Sequence, residues 1–327
     1  MNRVLAGLRS TFAALSVGVL AAACGGPSST AGAIPVLHTD ASIRQAASSR
    51  AASRQKLLYL SIGNTSTLEV DVYPADITIK NPKLIRKITD GLTNPGGLWV
   101  DKAGTLYVVN SAFNGPGNVV EYAAGSAHPT FQIPKIPNAQ FVTVDKRGFV
   151  YVSGAGNFGN NSNAVNVFVF APHSTKLVRT VKFDSTATTY DAPSMVALDS
   201  KGDIFVGQNH RITKDFQICM AKAGATEGTL FIDRAVGDEL TIDGSDNLYV
   251  ADAQALPVST IEVYPPGSNT PSRSMSGGAA LAAASDGTLY AGYGDASEFD
   301  EYAPGASSPT NSFTYGTYGL RGSAIAP

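Results

Sequence analysis

The sequence predicts an all-β protein, a six-bladed β-propeller that is closed by the C-terminal strand joining the first blade. A short apolar segment with a central aromatic residue recurs six times, and its aromatic residues lie 48, 44, 54, 44 and 41 positions apart. A period of about 40 to 50 residues with several short strands in each copy is typical of propellers. No long helical periodicity follows residue 57. The six aromatic residues are Tyr59, Tyr107, Tyr151, Phe205, Tyr249 and Tyr290.

Each copy also contains a turn of recurring chemistry. In four copies an apolar run ends in an aspartate that lies six residues before the aromatic residue, and a glycine follows in the same turn. Aspartate accepts hydrogen bonds from turn amides, and glycine adopts the positive φ that such turns need. We therefore expect these aspartates to hold turns between two strands rather than to act in catalysis. They are Asp101, Asp145, Asp199 and Asp243.

The two ends of the repeat region complement each other. The first copy has no apolar run before Leu57 that corresponds to the inner strand of the other copies. Residues 322–326 are small and mostly apolar, and no partner strand follows them in the sequence. We expect them to pair beside residues 57–61, because this closure removes exposed sheet edges that would otherwise promote aggregation.

The N-terminus is typical of an export signal. Residues 1–23 begin with a basic segment and continue in an apolar run that is shorter than the about 20 residues of a membrane-spanning helix. The run ends at Cys24 in a sequence that resembles the bacterial lipobox, whose cysteine receives a lipid. The alternative is an ordinary signal peptide cut after Ala23 or Ala33, with Cys24 incidental. Residues 24–56 are rich in small and polar residues and are expected to form a flexible tether.

Composition and motifs exclude several classes of function. The formal net charge of −2 excludes nucleic-acid binding through a general basic surface. The two cysteines, Cys24 and Cys219, are too few for a disulfide framework or a four-cysteine zinc site. The sequence also lacks the nucleophile elbow of α/β-hydrolases, the zinc-protease helix motif and the phosphate-binding loop.

Residues 57–327 resemble the NHL-repeat and SMP-30-like group of six-bladed propellers. The resemblance rests mainly on residues 94–101, 104–108 and 247–252, which combine an inner strand, its turn and the aromatic strand. For SMP-30-like members it implies a metal-dependent lactonase or esterase, whose divalent cation is held by oxygen ligands at the channel mouth. The ligand set of that family begins with a glutamate at the head of the first inner strand. The corresponding residues here, 319–323, include no acid.

Candidate binding residues lie in the loops after the aromatic strands and in the links between blades. In a propeller these loops and links share one face around the channel mouth, and loops on a rigid scaffold usually carry binding groups. The long loop after the third aromatic strand is rich in Asn and Gly and supplies an aromatic ring. The acidic residues of the set would supply oxygen ligands to a divalent cation. The set is Asn110, Asn157, Phe158, His210, Asp238, Glu239, Asp252 and Asp295.

Two functions agree with these observations. The first is an exported, lipid-anchored propeller that acts as a ligand-binding or protein-interaction module at the bacterial cell envelope, without catalytic residues or a required cofactor. Its ligand would be a small molecule, a glycan or a protein, and the lipid on Cys24 would hold it to the membrane. The alternative is a metal-dependent lactonase or esterase of SMP-30-like type. A purely structural envelope protein is not distinguished from the first function by the sequence.

Overall fold

The computed structural model describes residues 56–64, 66–76, 78–112, 115–155, 165–183, 191–210, 216–235, 239–251, 259–293, 298–315 and 319–326. Every regular element in these ranges is a β-strand, as predicted. The same ranges contain no helix long and apolar enough to cross a membrane. The predicted signal peptide, Cys24 and the predicted tether up to residue 55 lie outside the described residues.

The strands are short, which agrees with the sequence pattern of apolar runs broken by Gly, Pro and Asn. In chain order they are β1 (Leu57–Gly63), β2 (Leu68–Pro74), β3 (Arg86–Ile88), β4 (Pro95–Val100), β5 (Leu106–Asn110), β6 (Pro116–Tyr122), β7 (Pro129–Pro137), β8 (Val142–Val144), β9 (Val150–Ala155), β10 (Val165–Phe170), β11 (Leu177–Phe183), β12 (Asp191–Leu198), β13 (Ile204–His210), β14 (Phe216–Ala221), β15 (Glu227–Ala235), β16 (Glu239–Ile242), β17 (Leu248–Ala251), β18 (Ser259–Tyr264), β19 (Arg273–Gly277), β20 (Ala280–Ala283), β21 (Leu289–Tyr293), β22 (Glu298–Tyr302), β23 (Asn311–Thr314) and β24 (Leu320–Ile325).

The described strands form six four-stranded antiparallel units, numbered one to six along the chain. Unit one has the order β24-β1-β2-β3, and units two to six contain β4–β7, β8–β11, β12–β15, β16–β19 and β20–β23. The first strand in each order is called the inner strand below. The second strand carries the recurring aromatic residue, and all six of these side chains are at least 94% buried. This repeated arrangement confirms the all-β propeller predicted from the sequence.

The C-terminal strand closes unit one by pairing beside β1, as predicted. Leu58, Tyr59 and Leu60 of β1 lie opposite Ile325, Ala324 and Ser323 of β24. The backbone N–H of Ala326 extends this pairing by donating to the carbonyl of Leu57 at 2.8 Å. The inner strand of the first unit therefore comes from the other end of the chain.

The hydrophobic core consists of layers between neighbouring units. Six clusters of buried residues each combine side chains from two units that are consecutive in the chain, or from unit six and unit one. In the cluster that closes the ring, Tyr290 and Phe299 of unit six pack with Leu58 and Leu60 of unit one. Burial of apolar surface at every junction stabilises the ring by about 25 cal/mol for each Å² removed from water.

Units three and four are joined by backbone pairing, which the sequence analysis did not predict. Their outer strands β11 and β15 run parallel, with Lys182 opposite Glu227 and Phe183 opposite Gly228. The two units thereby form one eight-stranded sheet. Gly228 permits the close approach, because a Cβ atom at this position would collide with the ring of Phe183.

The recurring aspartates hold the turns between the first and second strands. In unit two, Oδ1 of Asp101 accepts hydrogen bonds from the backbone N–H groups of Ala103 and Thr105 at 2.9 and 2.8 Å. Gly104 completes this turn with φ of +85°. The same pair of bonds to Oδ1 recurs at Asp145, Asp199 and Asp243.

Candidate functional site

Asn110 lies on the predicted loop face and is fully engaged in hydrogen bonds. It is the last residue of β5 and is 3% exposed. Its Oδ1 accepts from the backbone N–H groups of Thr93 and Asn94 at 2.9 and 3.3 Å. Its Nδ2 donates to the carbonyl of Gly91 and to Oδ1 of Asn118, both at 2.9 Å. The side chain thus connects the link between units one and two to Asn118 near the start of β6.

Glu239 and His210 lie at strand ends next to other inter-unit links. Glu239 begins the inner strand β16, and its Oε2 accepts a 2.9 Å hydrogen bond from the backbone N–H of Leu281 in the next inner strand. His210 ends β13 opposite Asp191, the first residue of β12. The structure therefore places the backbone of both residues on the predicted face, and it gives Glu239 a contact that connects units five and six.

The other candidate residues, Asn157, Phe158, Asp238, Asp252 and Asp295, lie outside the described residues. Among the residues that are described, no group of three or more His, Cys, Asp or Glu side chains is arranged to hold a metal ion. The divalent-cation site implied by the resemblance stays a prediction, because three of its acidic candidates, Asp238, Asp252 and Asp295, lie outside the described residues.

The positively charged side chain of Arg321 lies at the head of the first inner strand. Arg321 of β24 donates from Nε to the carbonyl of Gly63 at 2.6 Å and from a terminal nitrogen to Oδ1 of Asn94. The SMP-30-like ligand set implies a glutamate in this region. A positively charged guanidinium disfavours a second cation nearby, because like charges repel.

The six inner strands surround a central cavity of about 1220 Å³. Each inner strand contributes three consecutive residues to the wall, and residues at corresponding positions of the six strands are called a layer below. The apolar side chains among them also take part in the core clusters between units. Of these 18 residues, 15 are apolar, and the polar ones are Thr143, Thr241 and Ser323. The layers are Leu98, Val142, Val196, Leu240, Leu281 and Ser323, then Trp99, Thr143, Ala197, Thr241, Ala282 and Ala324, then Val100, Val144, Leu198, Ile242, Ala283 and Ile325. The hydroxyls of Thr143 and Ser323 are buried, so the surface of the wall is mainly apolar, as in many small-molecule sites.

The third layer leads to the turns between the first and second strands, which form the described opening of the cavity. Lys102, Lys146 and Lys201 line this opening on units two, three and four, and all three residues are exposed. No carboxylate among the described residues pairs with their ammonium groups. Arg147 differs, because its guanidinium binds Asp145 at 2.9 Å.

The carboxylates at the same opening are directed into the protein. The four turn aspartates accept backbone N–H groups, as described above. Asp246 accepts from the backbone N–H of Ser200 at 2.7 Å and from its hydroxyl at 2.6 Å. The lining contains five basic and five acidic side chains, so the formal charge is balanced. The lysines nevertheless have free donors, whereas each of these carboxylates already accepts at least two hydrogen bonds.

A second group of charged side chains lies in the third and fourth strands of unit one, outside the cavity lining. Burial, with Glu69 nearby, raises the pKa of Asp71 to about 6, although Lys87 lies 3.7 Å away. Lys87 makes its shorter contact, 2.6 Å, with Glu69. One oxygen of Asp71 has no hydrogen-bond partner among the described residues. Asp71 is only 1% exposed, so a ligand cannot reach it. This group therefore matters for stability and not as a binding site.

The cavity opening was not predicted, because the candidate residues chosen from the sequence lie in the opposite set of loops. A signal was available, since each turn aspartate follows a mostly apolar triplet and the three lysines follow aspartates within two residues. That pattern indicates strands and turns equally well. Only the closed ring shows that the triplets of all six inner strands surround one space.

Comparisons with known proteins identify the fold. No protein-family model matches the chain, and no curated protein matches it. Among solved structures, a chain from the nidogen/laminin complex is similar with a TM-score of 0.61 and 15% identity, covering 84% of this chain and 98% of that one. A protein of unknown function from Bacteroides caccae has a TM-score of 0.57 and 12% identity, with coverage of 83% and 99%. A protein from Lactobacillus plantarum has a TM-score of 0.56 and 10% identity, with coverage of 84% and 99%. Together with the repeated antiparallel units, these similarities establish a β-propeller, and at such identities they show the fold alone.

Proposed function

We propose that this chain is an exported, lipid-anchored β-propeller that binds a small molecule at the bacterial cell envelope, with the ligand in the central cavity. The observation that carries the proposal is the three-layered apolar wall, to which every inner strand contributes. The cavity volume of about 1220 Å³ exceeds the about 300 to 1,000 Å³ that is usual for ligand pockets in proteins. Apolar surface in such a site gains free energy when a ligand replaces water.

The cavity site is tested with N-phenyl-1-naphthylamine, a neutral apolar dye whose fluorescence increases when it leaves water. Wild-type protein should bind it saturably. Ala283 belongs to the third layer and is half-buried, so Ala283→Phe places a ring in the cavity. We expect this variant to lose at least about tenfold in affinity, or about 1.4 kcal/mol. Ala123→Phe, at an exposed turn after β6, is the matched control and should bind as wild type.

The result that contradicts the cavity site is equally clear. If Ala283→Phe has an unchanged melting temperature and still binds the dye as wild type does, the ligand does not occupy the central cavity. Absence of saturable binding to wild-type protein would contradict the proposal as well.

The membrane anchor rests on the N-terminal sequence, with its basic start, short apolar run and Cys24. Cys24→Ser should move the protein from the membrane fraction to the soluble fraction and prevent lipid-dependent processing of the precursor. Cys219→Ser is the control, because Cys219 is buried in the core and should not affect fractionation. Identical fractionation and processing of Cys24→Ser and wild type would exclude the lipid anchor.

A further inference from the structure

The opening of the cavity combines an apolar interior with free positive charges. Lys102, Lys146 and Lys201 lie on three consecutive units, so their ammonium groups share one side of the opening. The other side is formed by the turns of units five and six, where Asp243 and Asp246 accept hydrogen bonds from the protein. The opening therefore has unpaired donors on units two, three and four, whereas the turn aspartates of units two to five accept hydrogen bonds from their own turns.

The remaining charges near the opening do not neutralise the lysines by direct contact. Asp145 binds Arg147, whose guanidinium also lies 4.9 Å from the centre of the Phe149 ring. Asp286, in the turn of unit six, pairs with Lys56. Each of these acids has its own basic partner, and a ligand anion at the opening would not displace any ion pair of the protein.

The structure assigns this cavity to amphiphilic anions, molecules with a bulky apolar body and one carboxylate, sulfonate or phosphate group. This assignment rests on the proposed cavity site and specifies its ligand class. The apolar body contacts the three layers, and the anionic group lies at the opening beside the three lysines. Charge-assisted hydrogen bonds from ammonium groups to an anion are shorter and stronger than neutral ones. A bulky body fits better than one extended chain, because the cavity is larger than the space that a drug-sized ligand fills.

Two dyes with the same apolar body test the assignment. 1-Anilinonaphthalene-8-sulfonate carries a sulfonate that N-phenyl-1-naphthylamine lacks. Wild-type protein should bind the sulfonate more tightly, and added salt should weaken only that binding, because salt screens exposed charges. The triple variant Lys102→Gln, Lys146→Gln, Lys201→Gln should lose about tenfold in affinity for the sulfonate and keep its affinity for the neutral dye.

A matched triple variant controls for the change in net charge. Lys80, Lys83 and Lys176 are also exposed but do not line the cavity, and replacing all three by Gln should leave both affinities unchanged. Deoxycholate, a bulky carboxylate, should compete with the sulfonate dye on wild-type protein. Binding of the uncharged dye provides the folding control for both lysine triple variants.

The outcomes separate this inference from the proposed function. If the neutral dye binds and Ala283→Phe prevents it, but the lysine variant binds the sulfonate dye like wild type, the cavity site stands and the anionic ligand class is wrong. Equal losses for both dyes in the lysine variant, or in the control triple, also overturn the ligand class. If neither dye binds wild-type protein, both proposals fail.

Discussion

Replacing Asn110 by alanine should destabilise the propeller without affecting the cavity. Four hydrogen bonds of the buried side chain are lost, to Thr93, Asn94, Gly91 and Asn118. Each is worth about 1 kcal/mol net, which gives an upper value of about 4 kcal/mol. Water can reach part of the link, whose residues are half-buried or exposed, so we expect a loss of about 2 to 4 kcal/mol.

The assay is thermal unfolding followed by circular dichroism, with dye binding measured on the same samples. For a chain of this size the melting temperature should fall by about 5 to 10 °C. Asn118→Ala is the matched control, because it removes only one of the four bonds and should cost about 1 kcal/mol. The reasoning is refuted if Asn110→Ala melts within about 1 °C of wild type. A variant that keeps wild-type stability but loses ligand would instead make Asn110 a binding residue, as the sequence predicts.

Three further predictions concern stability. Deleting residues 321–327 removes most of β24 and leaves β1 with an unpaired edge, so the truncated protein should aggregate or lose its cooperative transition on heating, whereas deleting residue 327 alone should not. The pKa of Asp71, about 6, lies above its ordinary value of 3.8, so the wild-type protein loses stability as pH rises through this interval. The melting temperature of Asp71→Asn should therefore rise relative to wild type between pH 4.5 and 7.5, and a constant difference would contradict the shift. Thr143→Val replaces a buried hydroxyl without a partner among the described residues by a methyl group of similar shape, so it should leave the melting temperature unchanged or raise it.

Much of the fold could be predicted because the propeller repeats its local chemistry. A turn aspartate, a glycine with positive φ and a buried aromatic residue recur at nearly constant spacing, so one copy supports the interpretation of the next. The closure could also be predicted, because the first repeat lacks an inner strand and residues 322–326 supply one. Both inferences depend on the spacing of the repeats and on the number of inner strands that the sequence supplies.

The contacts of individual side chains could not be predicted in this way. Asn110 has the residue type and loop position of a binding group, but its partners Gly91 and Thr93 lie 17 and more residues away and approach it only in the folded link. Pairing between β11 and β15 depends on two residues of each strand and leaves no periodic signal in the sequence. The orientation of the inner strands toward one cavity likewise depends on the whole ring.

The pairing between β11 and β15 determines how the ring can open. Among the described residues this is the one junction where strands of two units pair within one sheet, and Lys182 N–H also donates to the carbonyl of Thr226 at 2.9 Å. Local opening of a native protein begins where the fewest such bonds must break. Units three and four should therefore move as one body during thermal fluctuations, and transient gaps should form at other junctions. Slow hydrogen–deuterium exchange at the Lys182 amide would record this division of the ring into one double unit and four single ones.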